Sequence, residues 1–328
     1  MSEDFQNQPD PRTDIGIRPR EYFIHSALFL LTFLTTTIAG VQWLNQNFLE
    51  LTNFSSGVTY SVLILLMLSS HEFGHYIAAR RNGVNSTLPF FLPFPSFFPL
   101  VLPFGTVGAV IRLRSSVPSR KVMFDIGAAG PLAGFVVSAG ILAIGFLTLP
   151  PREYLYIIHP EYAQMASIPT EGLTFGRSLF FSLFARIFSA PGAFVPPMNE
   201  IYHYPLLCVG WFGMFVTAMN LIPVGQLDGG HIAFAMFGNG YHRIAQTALV
   251  ILVLLGTGGF LPLLGIPFEY GFTGWLFLAI MLIVFMRGFK LSRPIIEDDT
   301  PLDPTRRLIG WVCIIIFIGA FSLVPMTL

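Results

Sequence analysis

Two histidines and a glutamate, in His71-Glu72-Phe73-Gly74-His75, stand inside an otherwise apolar run. On a helix, positions four apart lie one above the other, so both imidazoles can reach a single metal ion. The glutamate then sits about 100° around the helix from His71, beside that ion and free to handle a proton of water. His-Glu-x-x-His on a helix is a pattern of metal-dependent peptide hydrolysis. The chain has 7 histidines in 328 residues, and composition alone predicts about 0.005 such matches, so coincidence is a poor account. The blander alternative is a histidine pair hydrogen-bonded to neighbours near a helix end.

A catalytic zinc takes three protein ligands and leaves the fourth position to water, so two histidines are one ligand short. Besides Glu72, the carboxylates at apolar spans are Asp125 and Asp228. Asp228 ends the stretch Asn220-Leu221-Ile222-Pro223-Val224-Gly225-Gln226-Leu227-Asp228 and precedes Gly229-Gly230-His231. It either completes the ligand set or caps a helix that starts there, and the incomplete His-Glu-His set favours the ligand. Asp125, four residues past Lys121 at a helix start, better suits a dipole or salt-bridge role. His231, one turn beyond Asp228, either supports the ligands from behind or is a satisfied interfacial histidine.

The element that carries the motif reads as a membrane span. From Val58 to Ala79 about 22 residues are apolar enough to cross a bilayer at 1.5 Å per residue. Ionisable groups there cost about 2.5 kcal/mol or more near the centre and mark function. The whole composition agrees: 53% hydrophobic and 11% charged, mean hydropathy +0.67, against about 25% charged in soluble domains. A net charge of +0 gives no reason to expect a nucleic-acid partner. Cys208 and Cys313 lie in separate apolar stretches and suit packing.

The expected fold is an all-α polytopic membrane protein with about seven transmembrane helices. The spans are Tyr22–Trp43, Val58–Ala79, Met123–Leu149, Tyr204–Ile222, Ile244–Leu264, Phe272–Phe289 and Leu308–Val324. By domain, 1–21 is a disordered cytosolic tail, unlike a signal or transit peptide, and 22–290 is the membrane-embedded core. That core holds both motifs, 69–77 and 220–231. An acidic cytosolic linker follows at 291–306, with Glu297, Asp298, Asp299 and Asp303, and a C-terminal span at 307–328. The loop 150–203 is external, and its stretch Gly176–Phe188 predicts an amphipathic interfacial helix. Small residues Gly127, Ala128, Ala129, Gly130, Ala133 and Gly134 in the third span permit close helix contact.

Residues 88–113 are apolar, yet Pro89, Pro93, Pro95, Pro99 and Pro103 exclude a regular helix. Non-helical backbone at membrane depth is tolerated where it is buried in protein or lines a wet cavity. A re-entrant hairpin is therefore expected, ending in a short strand over Gly105–Ile111; a loop lying on the headgroups is the alternative. With re-entry, fifteen of the 18 basic residues share one side, and only Arg152, Arg177 and Arg186 fall on the other. Basic excess marks the cytosol, so the N-terminus is inside, the C-terminus outside, and the motif lies toward the cytosolic end of its span.

At this point the chain resembles the site-2 protease family of intramembrane zinc metalloproteases, in particular its compact branch without a PDZ domain. The resemblance rests on HEFGH (His71–His75), GTVGAVI (Gly105–Ile111), AGPLAGF (Ala129–Phe135) and NLIPVGQLDGGH (Asn220–His231), spanning about half of the chain. It implies one catalytic Zn2+ on His71, His75 and Asp228, with Glu72 as general base. It further implies that Asn220 assists the substrate carbonyl and that the Gly105-Thr106 strand binds unfolded substrate. Leu221 departs from the family, where proline often follows the asparagine. The implied substrates are single-span proteins within the lipid bilayer, and the implied location is the bacterial cytoplasmic membrane. The rival from another class is a metal-ion transporter using the same ligands. Transport has no need of Glu72, so Glu72→Gln separates the two.

Overall fold

The computed structural model describes residues 19–95, 104–267, 269–288 and 298–327. Most of the expected tail, Pro99, Pro103 and the linker residues through Glu297 lie outside them. The helices are α1 (Pro19–Trp43), α2 (Val58–Arg81), α3 (Arg120–Leu147), α4 (Glu153–Ile158), α5 (Leu179–Phe188), α6 (Pro205–Asn220), α7 (Asp228–Phe237), α8 (Tyr241–Gly258), α9 (Thr273–Gly288) and α10 (Pro304–Ala320). Each expected span falls on one of them. Three are long and apolar enough to cross a membrane: α1, α3, and α2 together with the turn that leads into it from Leu51. α6 and α9 are apolar but shorter.

The helices that carry the motif meet through small residues. A Cβ on Gly40 of α1 would lie 2.5 Å from the Gly57 carbonyl oxygen at the start of α2. A Cβ on Gly74 of α2 would lie 2.5 Å from the Ala129 carbonyl oxygen of α3. Backbones this close give van der Waals contact where lipid offers no hydrophobic drive. On α1, Thr32, Thr36 and Thr37 are buried and donate to carbonyls four residues back, so their hydroxyls need no water. The main core joins these helices to α6 through Tyr60, Met67, Leu142, Phe146, Leu207 and Phe212. Cys208 and Cys313 are buried and free, as packing residues.

Within 88–113 the described residues form the expected hairpin, with two paired strands where one short strand was expected. β1 (Phe90–Pro93) pairs antiparallel with β2 (Thr106–Val110), Phe90 opposite Val110 and Leu92 opposite Gly108, with a bulge at Leu92/Pro93. Pro93 closes β1 because it has no amide to continue the ladder. The hairpin runs along α1: His25 Nδ1 is 2.9 Å from the Pro89 carbonyl oxygen, and the Thr35 hydroxyl donates to the Gly105 carbonyl at 2.7 Å. Those two α1 residues are about 15 Å apart along the helix. The legs return together, Ser86 bridging to Leu113. Gly105 has φ +77, and a Cβ there would lie 2.5 Å from Thr36 Cα.

Two further expectations are corrected. A second small sheet, β3 (Thr174–Phe175) with β4 (Met326–Thr327), ties the chain's end to the 150–203 loop, so the fold is mainly rather than purely helical. The acidic linker ends earlier than expected, because Asp303 accepts from the Arg306 amide and Pro304 starts α10. The described acids, though largely exposed, also have partners. Asp298 pairs its backbone with Ser119, Asp299 meets Arg120 at 3.4 Å, and Asp303 meets Arg306 at 2.5 Å. The basic ends of α3 and α10 gather them.

Candidate metal centre

α2 and α3 run antiparallel, and α3 offers the imidazoles a floor of glycines. A Cβ on Gly134 would lie 3.1 Å from His71 Nδ1, and one on Gly130 would collide with the His75 ring. One turn earlier, a Cβ on Gly127 would lie 3.2 Å from His231 Cβ, at the start of α7. These three glycines share one helix face. Each admits one piece of the site, a role beyond the close helix contact expected of these small residues. The stretch 129–135 carried that signal in its spacing.

Asn220 ends α6 and Asp228 opens α7, so the turn between them delivers both to one place. The Tyr241 hydroxyl, from α8, accepts from the Gly225 amide at 2.9 Å, and buried Ile222 and Val224 pack the turn against the α8–α9 pair. The cap alternative for Asp228 fails on geometry. Leu227 is the N-cap and makes no side-chain cap bond, whereas Asp228 Oδ2 lies 3.3 Å from both His71 Nε2 and His75 Nε2. The imidazole nitrogens are 3.1 Å apart. A tetrahedral ion with bonds of about 2.0–2.1 Å needs ligand separations of about 3.3 Å, so this triangle fits a zinc-sized ion. His75 Nδ1 donates to the Ile126 carbonyl at 2.7 Å, which leaves Nε2 as the lone pair facing the triangle.

The triangle opens on a cavity of about 300 Å³. Glu72, Asn220, Gln226 and His231 line it as well, and Asn220 Nδ2 is 3.4 Å from His71 Nε2. His71, His75 and Glu72 are buried, at 4 to 7% exposure, while Asp228 keeps 17% of its side chain exposed. The hairpin contributes Ala109, Val110 and Ile111 to the wall. Gly105 and Thr106, the expected substrate-binding pair, do not line it. Gly105 is packed on α1, and the Thr106 hydroxyl donates back to the Leu92 carbonyl at 2.7 Å. They hold the hairpin, and the strand's other end meets the cavity. Asp125 is outside the site as expected, accepting at 2.8 and 2.7 Å from Nε and Nη2 on one edge of the Arg306 guanidinium.

A helix-borne histidine pair, a third ligand from a distant helix and a spare glutamate at the cavity make a centre for hydrolytic metal chemistry. Comparison with known proteins agrees. The chain is similar to the probable zinc metalloprotease EGY2, chloroplastic, of Oryza sativa subsp. indica, 28% identical over 93% of this chain and 50% of the relative. It is similar to the probable zinc metalloprotease EGY1, chloroplastic, of Oryza sativa subsp. japonica, 30% identical over 82% of this chain and 40% of the relative. The Arabidopsis thaliana protein of the same name is 32% identical over 63% of this chain and 34% of its own length. The chain thus spans half or less of the length of these relatives. Residues 59–259, which hold both halves of the metal triangle and the hairpin wall, match the sequence profile of peptidase family M50, and the chain belongs to that family.

Proposed function

We propose that the chain is an intramembrane zinc metalloprotease that cuts single-span membrane proteins in or near their transmembrane segments. The observation that carries this is the His71–His75–Asp228 triangle with Glu72 in the same cavity, set inside an apolar helix. A bound zinc supplies Lewis acidity, acidifying water and polarising a carbonyl. Glu72 takes the proton of the attacking water on a carboxylate oxygen and returns it to the leaving amide nitrogen. The Asn220 amide, beside His71, donates to the oxyanion that forms on the substrate carbonyl. His231 supports Asp228 from one turn along α7.

A helical substrate hides its carbonyls in its own hydrogen bonds, so it must unwind before it is cut. β2 has β1 on one edge and, among the described residues, no strand on the other. An extended substrate segment can add there, and Ala109–Ile111 then lead it to the metal. In this reading seven helices cross the bilayer, 22–290 is the catalytic core, and 88–113 re-enters from the cytosolic face. His75 sits only about one and a half turns from Arg80 and Arg81, near that face. The basic excess on one side supports a cytosolic N-terminus, and the membrane of this reading is the bacterial cytoplasmic membrane.

The test is cleavage in proteoliposomes of single-span substrates, half with a Gly-Pro pair in the span and half stably helical, with cut sites read by mass spectrometry. Wild type should cut the destabilised spans; Glu72→Gln should lower the rate by about 10²–10⁴-fold with its zinc retained. Equal cutting by Glu72→Gln, or cuts confined to soluble loops, would overturn the proposal.

A further inference from the structure

We propose a second metal site, for a zinc-like divalent ion, formed by His159, Glu200 and His203 in the loop between α3 and α6. Their ligand atoms all lie within 4.8 Å of one another. His159 Nε2 is 3.0 Å from His203 Nε2, and His203 Nε2 is 3.5 Å from Glu200 Oε2, close to the roughly 3.3 Å edge of tetrahedral zinc. The third edge closes by a small turn of the His159 ring, which is part-exposed.

Hydrogen bonds behind the three residues aim their lone pairs inward. His203 Nδ1 faces the Trp43 carbonyl at 2.6 Å; a carbonyl only accepts, so Nδ1 carries the proton and Nε2 does not. His159 Nδ1 likewise faces the Glu161 carboxylate at 3.1 Å. Glu200 Oε1 accepts from the Tyr162 hydroxyl at 3.0 Å and from the Asn199 amide at 3.1 Å. Its other oxygen, Oε2, is buried without a hydrogen bond, and Glu200 as a whole is 2% exposed. With His159 in the same Nδ1–H tautomer, three acceptors converge on one point, an arrangement that costs free energy until a cation enters. Nδ1 hydrogen bonds that fix the tautomer are what metal-bound histidines carry.

The site joins the last residue of α1, through Trp43, to the loop and to the entry of α6. It lies at the end of the bundle opposite the α2–α3 triangle, about 25 Å away as judged by the 17 residues from Gly130 to Leu147 of α3. Its role is structural: the ion staples the loop to the helix ends.

The experiment uses the full chain without a polyhistidine tag, in detergent, equilibrated with zinc and desalted, its metal counted by mass spectrometry. His75→Ala with Asp228→Asn empties the first triangle, so the count no longer depends on the proposed catalytic role. That double variant should keep one zinc per chain, give a visible d–d band with Co2+, and melt at a higher temperature with zinc than without. Adding His159→Gln, a change at a part-exposed residue that the fold tolerates, should remove the ion, the band and the zinc-dependent shift. Glu200→Gln should do the same. No zinc in the double variant, or zinc that survives both further changes, overturns the proposal.

Discussion

The two histidine–carboxylate clusters sit at opposite ends of the same helices and are built for different ends. His71, His75 and Asp228 face a cavity of about 300 Å³ that is also lined by a carboxylate outside the ligand set, Glu72, and by the Asn220 amide, 3.4 Å from His71 Nε2. His159, Glu200 and His203 are backed by Trp43, Glu161, Tyr162 and Asn199, each already engaged with a ligand residue. Catalysis needs an open coordination position and a base that is not a ligand. A staple needs neither. The donor sets are nearly the same, so the difference lies in what is left over around them.

Chelation is the widest way to separate the clusters. The first opens on a cavity and the second has two of its three ligands under 4% exposed by side chain. Dialysis against a chelator should abolish proteolysis completely while one zinc stays with the chain. Metal counts and activity followed in the same samples check it. If both ions leave in step, or activity outlives the first, the contrast between an open and a closed site is wrong.

A second and smaller effect lies in the glycine floor. Gly130→Ala puts a methyl into the His75 ring, which must tilt or push α2 away from α3. Overpacking of this kind costs about 1–3 kcal/mol. Displacing a ligand in this way should lower activity about 10–100-fold, by analogy with loss of a residue that orients a metal ligand. Gly134→Ala meets His71 Nδ1 at 3.1 Å, a contact the ring can relieve by a few tenths of an ångström, so its effect should stay under about tenfold. Zinc competition titrations and initial rates on both variants measure this. A larger loss at Gly134 than at Gly130 would break the account of how α3 holds the imidazoles. Neither change should alter the metal at His159.

How much of this could be read from residues alone follows from what each signal is made of. The four residues His71, Glu72, His75 and Asp228 were legible because a helix period and a ligand count are local facts. Most helix ends were legible within a few residues, since apolar runs are local too, whereas the Asp303 cap was hidden among the linker's acids. The hairpin was harder. Prolines said that no helix forms over 88–113, but pairing of Phe90 with Val110 depends on α1 receiving Gly105, a contact 70 residues away in sequence. That is why Gly105-Thr106 was expected at the site, whereas Ala109–Ile111 line the cavity. Asp125 had a nearby Lys121 as its obvious partner, and only the fold brings Arg306 from 181 residues away. His159 and His203 are 44 residues apart with no motif between them, so no spacing rule could join them.

The smallest expected effect sits where α10 is tied to α3. Arg306 grips Asp125 with two parallel bonds and Asp303 with a third, and its side chain is 32% exposed. Fork geometry makes this stronger than a lone surface pair, while exposure and salt weaken it, so Arg306→Gln should cost about 1 kcal/mol. That corresponds to a fall of about 2–4 °C in melting temperature, shrinking as salt is raised. Asp125→Asn should cost about as much, and the double variant little more than either, which a double-mutant cycle reads directly. Activity should fall no further than stability does, because α10 braces α3 and α7 without touching the metal triangle. A tenfold loss of activity at unchanged melting temperature would instead make Arg306 a positioning residue for Asp228, and α10 part of the centre rather than its brace.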